Sequence, residues 1–414
     1  MDFNDTPEEA AFRKEVRAWL DANATRKSDD RQAFRARNDD PELLAKAKAW
    51  QAKKATAGYA RMTWPKEYGG RGASPILQVI YQQEEANYLV PLGFFDIGLG
   101  MCIPTMMAYA KPEQLDRYVK PALHGDEVWC QLFSEPAAGS DVAGIRTRAE
   151  RDGDGWVING QKVWTTQAQH ADYVFLMVRT DPDAPQHAGI SYLLVPMHQP
   201  GVEVRPIIQV DGSAEFNEVF FTNARCPKGN VVGGVNNGWK VAMTTLGFER
   251  GSSSTTGYRR FLKEWDFIVA EARRTKRNTD PLVRDRIIKN WEQVKIMQIN
   301  GYRSLTDSLN DTHNAALLGA CNKMFWSEMH RDSMELALDV QGMESQILTG
   351  NGSAEGTIPG QGRGREDYPV SDIQASFFFS RSETIWGGTA EIQRNIIGER
   401  ALGLPKEPKA AKAN

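Results

Sequence analysis

The chain has 414 residues, too many for one simple core, so two or three domains are expected. An apolar fraction of 41% and a charged fraction of 25% are those of an ordinary globular protein, and a net charge of -3 supplies no global field for nucleic acid or an anionic membrane. The cysteines Cys102, Cys130, Cys226 and Cys321 show no CxxC spacing and the histidines no HxxxH pair, so no metal site or disulfide framework is expected. The acidic start Met1-Asp2-Phe3-Asn4-Asp5 lacks a signal peptide's basic and apolar runs, and no apolar stretch is long enough to span a bilayer. A cytoplasmic protein with no membrane insertion is expected.

Thr6-Pro7-Glu8-Glu9 reads as a capping box with proline at the first helical position, and Phe12, Val16, Trp19 and Leu20 then share one face. The span 23–40 is polar and reads as loop, followed by a second helix over 41–56. Trp64-Pro65-Lys66-Glu67-Tyr68-Gly69-Gly70 is a turn. Helical patterns resume over 74–88 and 112–123, with a small-residue stretch, 93–107, between them. From Glu127 the texture changes. Runs at 128–133, 145–150, 156–163, 173–179, 191–195, 202–208 and 218–223 are rich in branched and aromatic residues. Turns at Asp152-Gly153-Asp154-Gly155, Asn159-Gly160 and Asp211-Gly212 separate them, the pattern of a small antiparallel domain. After Gly238 helices are expected from 239 to about 271, from 281 to about 310, over 315–340, and from about Thr389. The glycine-rich span 341–369 reads as a long loop, and the lysine-rich tail after Pro405 as disordered. The order is α+β in three parts: 1–125 helical, 126–234 β, 235–404 helical, with a tail at 405–414.

One stretch carries chemistry. Gln131-Leu132-Phe133-Ser134-Glu135-Pro136-Ala137-Ala138-Gly139-Ser140-Asp141 is an apolar strand running into a Gly/Ser turn, which can offer backbone N–H groups to an anion. Asn159-Gly160-Gln161-Lys162-Val163-Trp164-Thr165-Thr166 follows a polar hairpin. Hydroxyls at Ser134 and Thr166 suit the polar edge of a flat heterocycle, and Trp164 offers a broad face for stacking. Taken singly, these residues read as turn formers and core.

As a string they resemble the flavin-binding signature of the acyl-CoA dehydrogenases, and the Trp64–Gly70 turn is similar to one in that family's N-terminal helical domain. The resemblance covers nearly the whole chain. It implies an acyl-CoA dehydrogenase-like fold: an N-terminal helical domain, a middle antiparallel β domain and a C-terminal helical bundle. It also implies FAD as cofactor, an acyl-CoA substrate converted to its trans-2-enoyl form, and an electron-transfer flavoprotein as electron acceptor. By the same resemblance Ser134 and Thr166 bond the flavin ring, Trp164 packs against it, and Ser140 stands between FAD and the CoA arm. Gln131, Leu132, Phe133, Gly139 and Thr165 complete the cofactor-binding stretch. The family's frequent Tyr-Glu-Gly-Thr base motif is here Trp386-Gly387-Gly388-Thr389, so glycine replaces the glutamate. Some members carry the base on a helix after the β domain, directly before an arginine, and Phe248-Glu249-Arg250 stands there. Glu249 is therefore expected to be the base, with Arg250 orienting the site or the CoA arm. Gly388 is expected to hold the thioester oxygen through its N–H, Thr389 and Glu391 to grip FAD, and Arg284 or Arg286 to hold phosphate. The family's Arg-x-x-Phe-Gly stretch is not recognisable around residues 273–286. That departure resembles members that pair two different subunits; by the resemblance a homodimer or homotetramer is expected, with a heterotetramer as the open alternative. Two rival readings share the fold: a flavin oxidase or monooxygenase, and a scaffold subunit completing a partner's FAD site.

Overall fold

A computed structural model describes residues 4–27, 41–91, 93–251, 256–310, 315–347 and 370–406. Most of the expected glycine-rich loop (348–369) and of the expected tail (407–414) lies outside them. The chain forms two units, Met1–Ser252 with Gly342–Ser376, and Ser253–Gln341 with Phe377–Asn414.

The first unit opens with α1 (Pro7–Asn23), started by its capping box: the Thr6 hydroxyl accepts from Glu9 N at 3.2 Å and the Glu9 carboxylate from Thr6 N at 2.8 Å. β1 (Thr25–Arg26) pairs with β2 (Tyr88–Leu89), and α2 (Pro41–Thr56), α3 (Pro75–Glu85) and α5 (Pro112–His124) occupy the expected positions. In the Trp-Pro turn both glycines are required. Gly69 has φ +85°, and a Cβ on Gly70 would stand 2.0 Å from the Trp64 carbonyl oxygen. The small-residue stretch is not a plain connector. A π-helical turn, Gly98–Cys102, runs into α4 (Ile103–Tyr109). Gly98, Gly100 and Pro104 mask this helix in the sequence, and burial of Leu99, Cys102, Ile103 and Met106 holds it.

The sheet comprises β3 (Trp129–Leu132), β4 (Arg148–Asp152), β5 (Gly155–Thr166), β6 (Tyr173–Arg179), β7 (Ile190–Pro196), β8 (Val202–Ile207) and β9 (Phe216–Pro227). Its strand order is β3-β6-β4-β5-β9-β8, with β7 also on β6. Most ladders are antiparallel as expected, but β3 lies parallel to β6, Trp129 opposite Tyr173 through Leu132 opposite Leu176, and β4 meets β6 in parallel at Arg148 and Arg179. A parallel pair needs a crossover, and the β4–β5 hairpin supplies it. Alternation along β6 sends Val174, Leu176 and Val178 into a core between strands. Phe175 and Met177 go instead to a core shared with Phe94, Ile103 and Met106 of the N-terminal helices. Val241 and Ala242 bring α6 (Gly238–Gly251) into that second core, and Thr245 of α6 is 3.0 Å from both Thr105 Oγ1 and the Tyr192 hydroxyl.

The second unit packs α7 (Tyr258–Arg274), α8 (Pro281–Leu309) and α9 (Ala315–Gln341) around Phe261, Val294, Met297 and Met329. The single helix expected from 239 to about 271 is thus two helices, with 252–255 outside the described residues. α10 (Asp372–Glu383) carries the boundary between the units, and α11 (Ala390–Ile396) follows the Trp386–Thr389 loop.

Candidate active site

β5 carries the site because it is forced out of register. Its pairing with β9 slips between Lys162 and Thr165, and the displaced Trp164 takes φ +60° with 61% of its surface exposed. A bulky residue in the left-handed region costs about 1–3 kcal/mol and persists only where its surroundings overdetermine it. Both flanks are anchored here. On one side Lys162, fully buried, donates to Glu135 Oε1 at 2.8 Å and to the Phe133 carbonyl at 3.0 Å. On the other, Asn217 Nδ2 donates to the Thr165 carbonyl at 3.0 Å. Burial pulls the Lys162 pKa down to about 8 against the attraction of Glu135. Glu135 resists the upward push of its own burial through Lys162 and the amide of Arg146, so its carboxyl titrates below its usual range.

The glycine turn is tied to the bulge. Glu135 and Ala138 exchange both backbone hydrogen bonds at 3.0 Å, and Val163 N donates to the Ser134 carbonyl at 3.0 Å. Beyond this hairpin a Cβ on Gly139 would meet nothing within 4 Å, and the amides of Gly139 and Ser140 have no partner among the described residues. The hydroxyls of Ser134, Ser140 and Thr166 likewise make no hydrogen bond to a described residue. Two buried acceptors are also orphaned, Gln131 Oε1 and Thr165 Oγ1. Leu132 and Phe133 point into the two cores, so they can meet a ligand only through backbone. An exposed ring, three free hydroxyls, two free amides and two orphaned polar atoms, on β5, on β3 and in the turn that follows β3, suit a flat, polar-edged ligand with an anionic arm. That donor set fits FAD.

α6 bears Glu249 and Arg250, but their side chains lie outside the described residues. In the second unit the Trp386–Thr389 loop is shaped by Gly387 (φ +67°) and Gly388 (φ +91°). Lys323 donates to the Gly388 carbonyl at 2.7 Å and buried Gln393 to the Gly387 carbonyl at 3.0 Å. Thr389 caps α11 by accepting from Ile392 N at 3.1 Å, and the exposed Glu391 titrates low through its own N–H and the Thr389 hydroxyl. Arg286 is engaged by Asp339 at 2.5 Å, while Arg284 shows no such pair among the described residues. Sequence reasoning missed a cluster sealed inside this unit. His330 lies between Glu383 and Glu264 (3.2 Å to the latter), and Arg260 reaches both carboxylates at 2.8 and 3.7 Å. Burial would lower the His330 pKa, but the two carboxylates prevail and raise it to about 9. Arg260 and Glu264 lie one turn apart on α7, but His330 is on α9 and Glu383 on α10, so the sequence gave no local signal of the cluster.

No described helix is long and apolar enough to cross a membrane. The models described as acyl-CoA dehydrogenase N-terminal, middle and C-terminal domains match residues 6–126, 130–224 and 236–402. The chain is 39% identical over 398 residues to the acyl-CoA dehydrogenase IpdE1 of Mycobacterium tuberculosis, covering 96% of this chain and 98% of that protein. Among solved structures it resembles the Tcur3481-Tcur3483 steroid ACAD, with a TM-score of 0.80 and 27% identity over 98% of this chain and 100% of that one. It also resembles the ChsE4-ChsE5 complex of M. tuberculosis, with a TM-score of 0.77 and 28% identity over 99% of this chain and 100% of that one. The matches to three successive domain models, together with a sheet whose free polar groups suit a flavin, show that the chain belongs to the acyl-CoA dehydrogenase family and is a FAD-dependent oxidoreductase.

Proposed function

We propose that the chain oxidises an acyl-CoA thioester to the trans-2-enoyl-CoA, with Glu249 as the base, and passes the electrons to an electron-transfer flavoprotein. The observation that carries the reading is the anchored left-handed bulge at Trp164, a strained aromatic held open to solvent beside unpartnered hydroxyls. When bound, FAD accepts the substrate's β-hydrogen as hydride. The Glu249 carboxylate takes the α-proton, Arg250 orients the CoA arm, and the Gly388 N–H polarises the thioester carbonyl. Ser134 and Thr166 hold the flavin's polar edge and Ser140 the cofactor's approach to CoA. The acyl group is a bulky, ring-bearing one. The glycine at 387 in place of a glutamate and the likeness to a protein described as a steroid ACAD both support this.

Anaerobic flavin bleaching by straight, branched and polycyclic acyl-CoAs tests the reading. Polycyclic thioesters should bleach fastest, and preference for short linear chains would defeat the bulky-substrate assignment. Glu249→Gln should keep its FAD and lose about 10²–10⁴ in rate. A variant retaining most of its rate removes Glu249 from the role. A second reading, in which a different subunit completes the FAD site, is supported by the Arg286–Asp339 pair, which engages a phosphate-holding candidate, and by the likeness to a two-protein complex. Yellow protein from a single-chain preparation would defeat it.

A further inference from the structure

In the loop before α11 the amides of Gly387, Gly388 and Thr389 make no hydrogen bond with a described residue, whereas the carbonyls of both glycines are held. Lys323 on α9 donates to the Gly388 carbonyl at 2.7 Å. Gln393 on α11 donates to the Gly387 carbonyl at 3.0 Å and stands 3.5 Å from that of Gly388. Both donors are buried, with 6% and 0% of their surfaces exposed. The Gln393 Oε1 is buried without a partner among the described residues, so this side chain leaves one end unmet while the other grips the loop.

In a trans peptide the carbonyl and the following amide point in opposite directions, and no cis bond occurs among the described residues. Drawing the Gly387 carbonyl onto Gln393 therefore turns the Gly388 N–H away from the buried side. Lys323 fixes the next peptide plane in the same sense. A hydrogen bond accepted by a carbonyl also polarises its peptide and strengthens the N–H at the other end. The same face of α9 holds the rest of the segment. Lys323, Trp326 and His330 are one and two turns apart, and they meet Gly388, Trp386 (ring centroids 5.7 Å apart) and Glu383 in that order. The loop is thus fastened along its length by one helix, with its free amides left facing outward.

We infer that Lys323 and Gln393 are positioning residues, which direct and strengthen the Gly388 N–H that polarises the thioester carbonyl, an inference that rests on the dehydrogenase reading above. Loss of the α-proton moves negative charge onto the thioester oxygen, and a donor already aimed there lowers the barrier. The test uses full-length holoenzyme and the tightest-binding member of the acyl-CoA panel, labelled with ¹³C at the thioester carbonyl. Bound to dithionite-reduced holoenzyme, which cannot take the hydride, the thioester stays saturated and its carbonyl stretch is read by isotope-edited infrared spectroscopy. In wild type the stretch should fall on binding. In Lys323→Met and in Gln393→Leu it should return towards the free value, with kcat lower by about 10- to 100-fold, KM little changed and FAD retained. Lys323→Arg should restore part of both. A wild-type stretch equal to that of the free thioester overturns the inference. So do variants that lose stability while keeping the wild-type stretch, and so does failure of both to fold, since the donors are then structural alone. A lowered stretch that the variants lose, without any flavin bleaching in wild type, supports the pair and counts against the dehydrogenase reading. Bleaching that is equal in wild type and variants counts against Lys323 and Gln393 alone.

Discussion

Replacing Lys162 by methionine should unmoor the Trp164 bulge. The ammonium makes two buried hydrogen bonds, to Glu135 at 2.8 Å and to the Phe133 carbonyl at 3.0 Å. Removing one partner of a buried ion pair costs about 3–5 kcal/mol. Glu135 keeps the amides of Arg146 at 2.6 Å and Thr147 at 2.9 Å, so the lower end applies, about 3 kcal/mol or roughly 100-fold in the folded-to-unfolded ratio. Because burial pulls the Lys162 pKa down to about 8, the unfolded chain binds more protons between that value and 10.5. Wild-type stability relative to Lys162→Met should therefore rise with pH across that window. Urea unfolding of the apoprotein by circular dichroism, at pH 7 and pH 10, measures both effects. FAD retention on the holoenzyme reports the bulge. The double variant Glu135→Gln/Lys162→Met should recover much of the stability, since the pair's desolvation is then removed with its attraction. A single variant within about 0.5 kcal/mol of wild type, or one that keeps its FAD while losing stability, refutes the reasoning.

Three further outcomes are expected. His330→Gln should cost about 3 kcal/mol, the low end for a broken buried ion pair, because Glu264 and Glu383 lose one of their two cations and keep only Arg260. The wild-type His330 pKa is raised from 6.5 to about 9, so its contribution is complete below pH 6.5 and lost towards pH 9; urea midpoints across that range should fall in wild type and not in the variant. Gly160→Ala should destabilise by about 2–3 kcal/mol in thermal melts, since Gly160 has φ +150° and its Cβ would stand 2.5 Å from Thr147 Oγ1. Trp164→Gly should relieve the left-handed strain and leave stability equal or about 1 kcal/mol higher, while FAD titration shows weaker binding; unchanged FAD affinity would remove Trp164 from cofactor packing.

Local signals carried the helices with strong caps and regular faces. The Thr6 box, the proline starts at 41, 112 and 281, and the branched runs of β5, β6 and β9 all stand where the sequence implies. α4 was hidden because its glycines and Pro104 argue against a helix and only burial favours one. α10 has an aromatic run, Phe377-Phe378-Phe379, without clear periodicity and gave no signal. The parallel β3–β6 ladder was illegible, since strand patterns carry no direction of pairing. At the site, residue types at Ser134, Trp164 and Thr166 could be read, but the slip that turns Trp164 outward depends on Lys162 and Asn217, residues whose partners lie far along the chain.

The parallel ladder also bears on biogenesis. As the chain leaves the ribosome, Trp129–Leu132 must wait for Tyr173–Arg179 before its backbone groups can be matched, and Ile190–Pro196 must then close the other flank. Through that interval an apolar edge stands bare, so nascent chains and refolding solutions alike should be prone to clump, and the flavin cradle should be among the last parts of the first unit to mature.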